Sequence, residues 1–396
     1  MSVEIRKMPL EFHRQHAGKV AIASKVPLKD RSDLSKAYTP GVAEVSKEIF
    51  ADKKKVYEYT MKANSVAVVT DGSAVLGLGN IGPEAALPVM EGKAILFKEF
   101  ADIDAFPICL NTQDENKIIE TVKNIAPAFG GINLEDISAP RCFYVEEQLQ
   151  DLGIPVMHDD QHGTAIVVAA ALMNAAKVLG KNIEELRVVI NGAGAAGTAI
   201  AKILSCLGYD RKVCNPVKEI IICDSAGIIH KGRTDMNKYK AELGRITNRQ
   251  NRTGTLADAL EGADAFIGVS KGNLLKKEMI QNMAGNPIVF AMANPVPEIM
   301  PAEAAEAGAA IVGSGRSDFP NQINNSLGFP GVFRGALDAK ATRINNEMKL
   351  AAAYALSGTI KPTKDEILPS MFDKNVVKNV SAAVAKAAIE TGVVRE

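Results

Sequence analysis

The chain has 396 residues, and its 46 Lys and Arg balance 46 Asp and Glu, so bulk charge draws it neither to nucleic acid nor to an anionic membrane. At about 150 residues per domain, this length predicts two or three domains with a sizeable core and a small molecule as partner. The longest apolar run, Ala165 to Met173, is too short for the roughly 20 residues of a bilayer crossing, and charges interrupt the first residues, which argues against export and for a cytoplasmic protein.

Val42, Val45 and Ile49 follow the Pro40-Gly41 turn at the spacing of one helical face, so Tyr38 stands just ahead of a predicted helix. SVAVVT (65–70) and AFPICL (105–110) read as buried strands, with Lys93 between them. Gly77, Gly79 and Gly82 have GxGxxG spacing, but Pro88 is expected to interrupt the helix such a loop needs. Asp102 and Asp104 also precede the next strand instead of ending it, so turns lining an active site are favoured over a nucleotide loop. The carboxylates Glu135, Asp136 and Asp160 suit Mg²⁺ or Mn²⁺, which take oxygen ligands and leave positions for water or substrate. Together with Asp159, they read equally well as turn and helix caps. His158 and His162 have zinc-pair spacing, but Asp159 stands where a zinc protease needs glutamate and no third ligand follows.

Residues 163–180 read as a long buried helix ending at a glycine and linking two domains. RVVINGAGAAGTAIAKIL then gives a strand, a loop of Gly192, Ala193, Gly194, Ala195, Ala196 and Gly197, and a helix. Its glycines suit a tight turn, close approach to a pyrophosphate and helix–sheet packing. Asp224 ends the next strand, placed to accept from a ribose hydroxyl, and the stretch from Tyr209 to Lys218 reads as an inserted loop. With Ser225, Ala226 and Gly227 after Asp224, no nearby cation favours a 2′-phosphate. NAD is therefore preferred, and NADP is possible if Lys231 or Arg233 folds back. Further short β-branched runs alternate with helical stretches, which predicts a parallel sheet with crossover helices. The odd count of five cysteines without a CxxC pair reads as reduced thiols.

The predicted fold is α/β: a Rossmann-type doubly wound parallel-sheet domain over 159–325, and a catalytic α/β domain over 1–158 onto which 326–396 folds back. Read together, AYTPGV, VTDGSAVLGLGNIG, EGKAILF, LEDI, HDDQHGTA, INGAGAAG, ANPVPE and NNSLGFPGV resemble the malic enzymes, in their short microbial form. The resemblance implies oxidative decarboxylation of malate with NAD(P)⁺ and Mg²⁺ or Mn²⁺, with a homodimer favoured. It implies Tyr38 as general acid, Lys93 as general base and Asp159 beside Lys93. Glu135, Asp136 and Asp160 become metal ligands, Asn294, Asn324 and Asn325 malate contacts, and Gly192, Gly194, Gly197 and Asp224 cofactor contacts. Where larger malic enzymes carry an arginine after the TDG turn, this chain has Ser73-Ala74, so the carboxylate anchor falls to Arg141 or to a residue of a second subunit. The alternatives are a malolactic enzyme and a catalytically silent NAD-sensing regulator.

Overall fold

The structure, a computed structural model, describes residues 3–210 and 212–395. Two sheets organise it. The first has the order β2-β1-β3-β4, built from β1 (Ser65–Thr70), β2 (Asp104–Cys109), β3 (Gly131–Leu134) and β4 (Val156–His158). All four run parallel, with Val69 beside Leu134 and Leu134 beside His158, so three strands finish at one edge. β1 is buried along its whole length, as its unbroken apolar pattern requires of a strand covered on both faces.

Helix Pro83–Ala101 crosses from β1 to β2 and packs on both. Contrary to the sequence expectation, Pro88 does not break it. One backbone donor is lost there, but buried Ala86, Met90, Ala94 and Phe97 anchor the helix on either side of the proline.

The second sheet has the order β10-β9-β8-β5-β6-β7. Its strands are β5 (Arg187–Asn191), β6 (Glu219–Asp224), β7 (Gly227–Ile228), β8 (Ala265–Gly268), β9 (Ile288–Ala291) and β10 (Ile311–Ser314). Only β7 is antiparallel. β6 and β8 flank β5 on opposite sides, the point at which a doubly wound sheet opens a crevice beyond its strand ends.

Between the sheets runs helix Asp159–Val178, with 14 of its 20 residues buried. Its small side chains let helices Ala195–Leu204 and Asn346–Ser357 pack against it, and Asn174 pins it by donating to the carbonyls of Ser357 and Ile367. One apolar cluster joins this helix to Val66 and Val68 of β1 and to Ile190 of β5. The helix stops before Gly180, whose φ of 64° is a left-handed terminus suited to glycine.

Helices Phe329–Asp338, Asn346–Ser357 and Lys374–Glu390 pack on one another, and the first also packs on Pro83–Ala101. There Phe97 meets Phe329 and Phe333 edge-on, at 4.7 and 5.4 Å between ring centres. The N-terminal arm differs. Helices Arg31–Ala37 and Val42–Ala51 pack on each other and on the adjoining turn Lys53–Lys55. They bury none of their residues, and Phe50 is 91% exposed.

The cysteine expectation is corrected in part. Cys206 and Cys214 are bonded, while Cys109, Cys142 and Cys223 are free. The inserted loop turns back on itself and brings the two Cα atoms to 5.8 Å, within disulfide reach, a closure that sequence spacing does not announce.

Candidate active site

The carboxyl ends of β1, β3 and β4 deliver the site. β3 leads directly into Glu135 and Asp136, β4 into Asp159 and Asp160, and the turn after β1 places Asp71 and Ser73 alongside. Asp136 has a left-handed backbone, φ 53°, a conformation that Asp tolerates better than most residues. Two hydrogen bonds hold that kink: its N–H donates to Asp160 Oδ2 (2.8 Å), and its carbonyl accepts from the Ala74 N–H (2.9 Å). Oxygens of Glu135, Asp136 and Asp160 all lie within 4.8 Å of one another. The buried Asn133 amide donates to Glu135 Oε2 (2.9 Å) and fixes its orientation.

Lys93 enters this cluster from helix Pro83–Ala101. Its buried ammonium pairs with Asp159 and with Glu135 Oε1 (3.1 Å), and it sits 4.3 Å from the centre of the Phe329 ring. Burial alone would lower its pKa, but Asp159, Glu135 and Asp160 outweigh burial and raise it above the ordinary lysine value. The sequence expectation of an amine kept neutral by its surroundings is thus reversed for the protein alone. Burial, followed by the charge of Asp160, pushes Asp136 up to about 8, and burial carries Glu135 well above the usual carboxylate range despite Lys93. The trio is short of positive charge, and Asp136 Oδ2 is buried without a hydrogen-bond partner. Hard oxygen donors with an orphaned oxygen among them fit Mg²⁺ or Mn²⁺.

Other expected residues also converge. A Cβ at Gly163 would lie 1.7 Å from Asp159 Oδ1 and 3.2 Å from Asn325 Cβ, so the missing side chain lets Asp159 and Asn325 approach. A Cβ at Gly77 would lie 1.6 Å from the Asn294 carbonyl, which puts the second GxGxxG against the Asn294 segment, as a site-lining turn. Asn324 caps the turn Asn325–Leu327. His162 is committed to Glu146 (2.9 Å), which also accepts from the His158 N–H and from Gln161. Arg141 is held by Gln113 and Ser138, with its Nε 3.4 Å from Asp71 Oδ2. Tyr38 is not brought in. It is 64% exposed on the N-terminal arm and makes no side-chain hydrogen bond among the described residues.

The dinucleotide loop follows β5. A Cβ at Gly192 would lie 2.6 Å from the Val269 carbonyl, and one at Gly197 only 1.8 Å from the Gly192 carbonyl, whereas Gly194 faces open space. Two glycines therefore close the turn and pack the helix, and the third leaves room for a phosphate. Helix Ala195–Leu204 supplies unpaired N–H groups there. Asp224 departs from expectation: Arg233 grips it at 2.8 and 3.1 Å, and Lys240 pairs with it at 2.6 Å. These contacts outweigh burial and hold its carboxyl down at about 2. Discrimination against a 2′-phosphate by an unopposed Asp224 loses its premise.

A family model described as "Malic enzyme, NAD binding domain" matches residues 161–392, and one described as "Malic enzyme, N-terminal domain" matches 17–118 and 112–150. The chain belongs to the malic enzyme family. It is 57% identical to the bifunctional malic/malolactic enzyme of Bacillus subtilis, over 99% of this chain and 95% of that one. It is 56% identical to the NAD-dependent malic enzyme of Geobacillus stearothermophilus, over 96% and 78%. The crystal structure of the NAD-dependent malic enzyme of Thermotoga maritima superposes with a TM-score of 0.90 at 53% identity, covering 95% of this chain and 98% of that one. NADP-dependent malic enzymes match at 44–46% identity. The fold is thus that of a malic enzyme, and the chain is an NAD(P)-dependent oxidoreductase of that family. Sequence reasoning missed Asn133, Glu146 and Lys240, which carry no motif and matter only through the partners they meet.

Proposed function

We propose that the chain converts malate to pyruvate and CO₂ with reduction of NAD(P)⁺, as a cytoplasmic enzyme dependent on Mg²⁺ or Mn²⁺. The observation that carries this reading is the buried Lys93 ammonium paired with Glu135 and Asp159 beside three carboxylates that lack a balancing charge. A divalent cation held by Glu135, Asp136 and Asp160 would supply Lewis acidity at the substrate's C2 oxygen. A nicotinamide dinucleotide on the Gly192–Gly197 loop would accept the C2 hydride.

The chain's own side chains handle the protons. Lys93 Nζ takes the proton of the C2 hydroxyl, which requires that Nζ first be neutral. It gives up its own proton more readily once Glu135 and Asp160 are engaged by another positive charge. Asp159 holds Nζ in place, and Asn294, Asn324 and Asn325 orient the substrate. After CO₂ departs, the Tyr38 hydroxyl protonates C3. Tyr38 lies on the exposed arm, so we assign a homodimer in which the arm's apolar residues Leu34, Tyr38 and Phe50 lie against the second copy and carry Tyr38 to its site. Residues 1–158 with 326–396 form the catalytic unit and 159–325 the dinucleotide unit, a division supported by the packing of helix Phe329–Asp338 on Pro83–Ala101.

Both dinucleotides are expected to serve, because Arg233 and Lys240 offset Asp224 at the ribose end. Assays with malate and either cofactor, with and without Mn²⁺, test the reading: pyruvate should form in step with reduced cofactor. Lactate without net reduced cofactor would transfer the assignment to malolactic activity, which the Bacillus subtilis relative carries in its name. Tight NAD binding without turnover would transfer it to a silent regulator.

A further inference from the structure

A cavity of about 580 Å³ opens beside the first turn of helix Asp159–Val178, lined by neither the acidic trio nor the Gly192–Gly197 loop. Its volume lies within the range of small-molecule sites. Five pieces of chain wall it: helix Arg141–Glu147, that first turn, helix Ala195–Leu204, the loop 207–209 and helix Asn346–Ser357 with the residues leading into it, and Tyr239 closes one side.

The polar groups on its walls are unevenly matched. Glu146 is satisfied by the His158 N–H, Gln161 and His162, at 2.9 to 3.0 Å. The donors have nothing. The hydroxyls of Thr198 (2% exposed) and Tyr239 (8% exposed) are buried and donate to no acceptor, with the Lys238 ammonium lying against Tyr239. Lys349, also 8% exposed, makes no side-chain hydrogen bond or ion pair among the described residues. Buried hydroxyl donors left unpaired are unfavourable. Water could satisfy the hydroxyls; Glu146 attracts the Lys349 ammonium without touching it, and an oxyanion in the cavity would give that ammonium a hydrogen-bonded acceptor. Where the cavity meets solvent, Lys202 is already paired with Glu242 (3.5 Å), which leaves Arg343 opposite Glu147 and Glu347.

We propose that this cavity binds a small metabolite through an oxyanion, carboxylate or phosphate, which pairs with Lys349 and accepts from Thr198 and Tyr239. This site is separate from the reaction assigned above. Its occupant touches both the cofactor-binding helix and the Glu146 bracket, whose partners His158 and Gln161 stand on either side of Asp159 and Asp160. Occupancy should therefore change the affinity of the acidic trio for a divalent cation.

Calorimetric titration of the full chain, free of metal and cofactor, with inorganic phosphate and separately with glutarate tests the proposal. At least one probe should bind saturably below ~10 mM, and Lys349→Met and Tyr239→Phe should each weaken it about tenfold or more. Whichever probe binds, or both, identifies the oxyanion. Tyr239→Phe keeps the ring packed on Phe143, 4.5 Å between centres, so its thermal midpoint and NAD⁺ binding should match the parent and exclude misfolding. A Mn²⁺ titration with and without the bound probe reads the coupling. No binding of either probe, equal binding by both variants, or an unchanged Mn²⁺ affinity would overturn the proposal.

Discussion

Asn133 stands two residues before Glu135, and its amide holds Glu135 Oε2 at 2.9 Å. Asn133→Leu should weaken Mn²⁺ binding by about 10–100-fold, the usual effect of losing a support behind a ligand, while NAD⁺ binding stays unchanged. Asp160→Asn removes a proposed ligand itself and should cost more; a variant as active as the parent at low Mn²⁺ would take Asp160 out of the site. Lys93→Ala should abolish both malate oxidation and the reduction of supplied oxaloacetate, whereas Tyr38→Phe should spare the latter, and equal losses in both would count against the division of labour. At the cofactor, Lys240→Ala uncovers part of Asp224 and should shift the kcat/KM ratio toward NAD⁺ by about tenfold, the scale of one partly exposed charge contact. An unchanged ratio would mean that the ribose does not meet this cluster. Glu135, Asp136, Asp160 and Lys93 were singled out through the motifs of a family resemblance, since spacing alone reads the carboxylates equally well as caps. The cations on Asp224 were not, since nothing in the spacing from 224 to 233 or 240 says which way an intervening loop folds.

Among the elements, the first turn of helix Asp159–Val178 depends on a group outside it. Burial would raise the Glu146 carboxyl, but His162, Lys349 and His158 hold it down at about 2. A carboxyl depressed in the folded state contributes stability that is fully present above its unfolded value, near 4.5, and is lost as the pH falls toward 2. Glu146→Gln should therefore lower the thermal midpoint at pH 7 and flatten its fall between pH 4.5 and 2. Burial lowers the His162 imidazole, so at pH 7 it supports Glu146 as a hydrogen-bond partner and not as a full charge. The expected loss at neutral pH is about 1–2 kcal/mol, and parallel midpoint–pH curves for parent and variant would refute it. Most elements were readable from pattern alone, as β1, β5 and β6 show. Helix Pro83–Ala101 was not, because the local penalty of Pro88 was weighed without the packing of Met90, Ala94 and Phe97 that overrides it.

At the level of the molecule, the two parallel sheets follow from alternating strands and helices, but the exposed arm does not follow from its own pattern. Val42, Val45 and Ile49 form a helical stripe with too little of this chain to cover it. If the arm carries Tyr38 to a second copy, a heterodimer of Tyr38→Phe with Lys93→Ala regains one intact site and about half the activity of the parent dimer. A heterodimer as inactive as its parents would place both residues in one chain's site. The buried helix between the sheets also bears on how such enzymes can be recombined. Cofactor halves exchanged between relatives should give folded chimaeras when the crossovers lie in the loops near Gly153 and Gly180, and misfolded ones when a crossover falls within Ala165 to Ala176. There, one stretch of side chains belongs to both partners of the graft, and its fit to either cannot be inherited from only one.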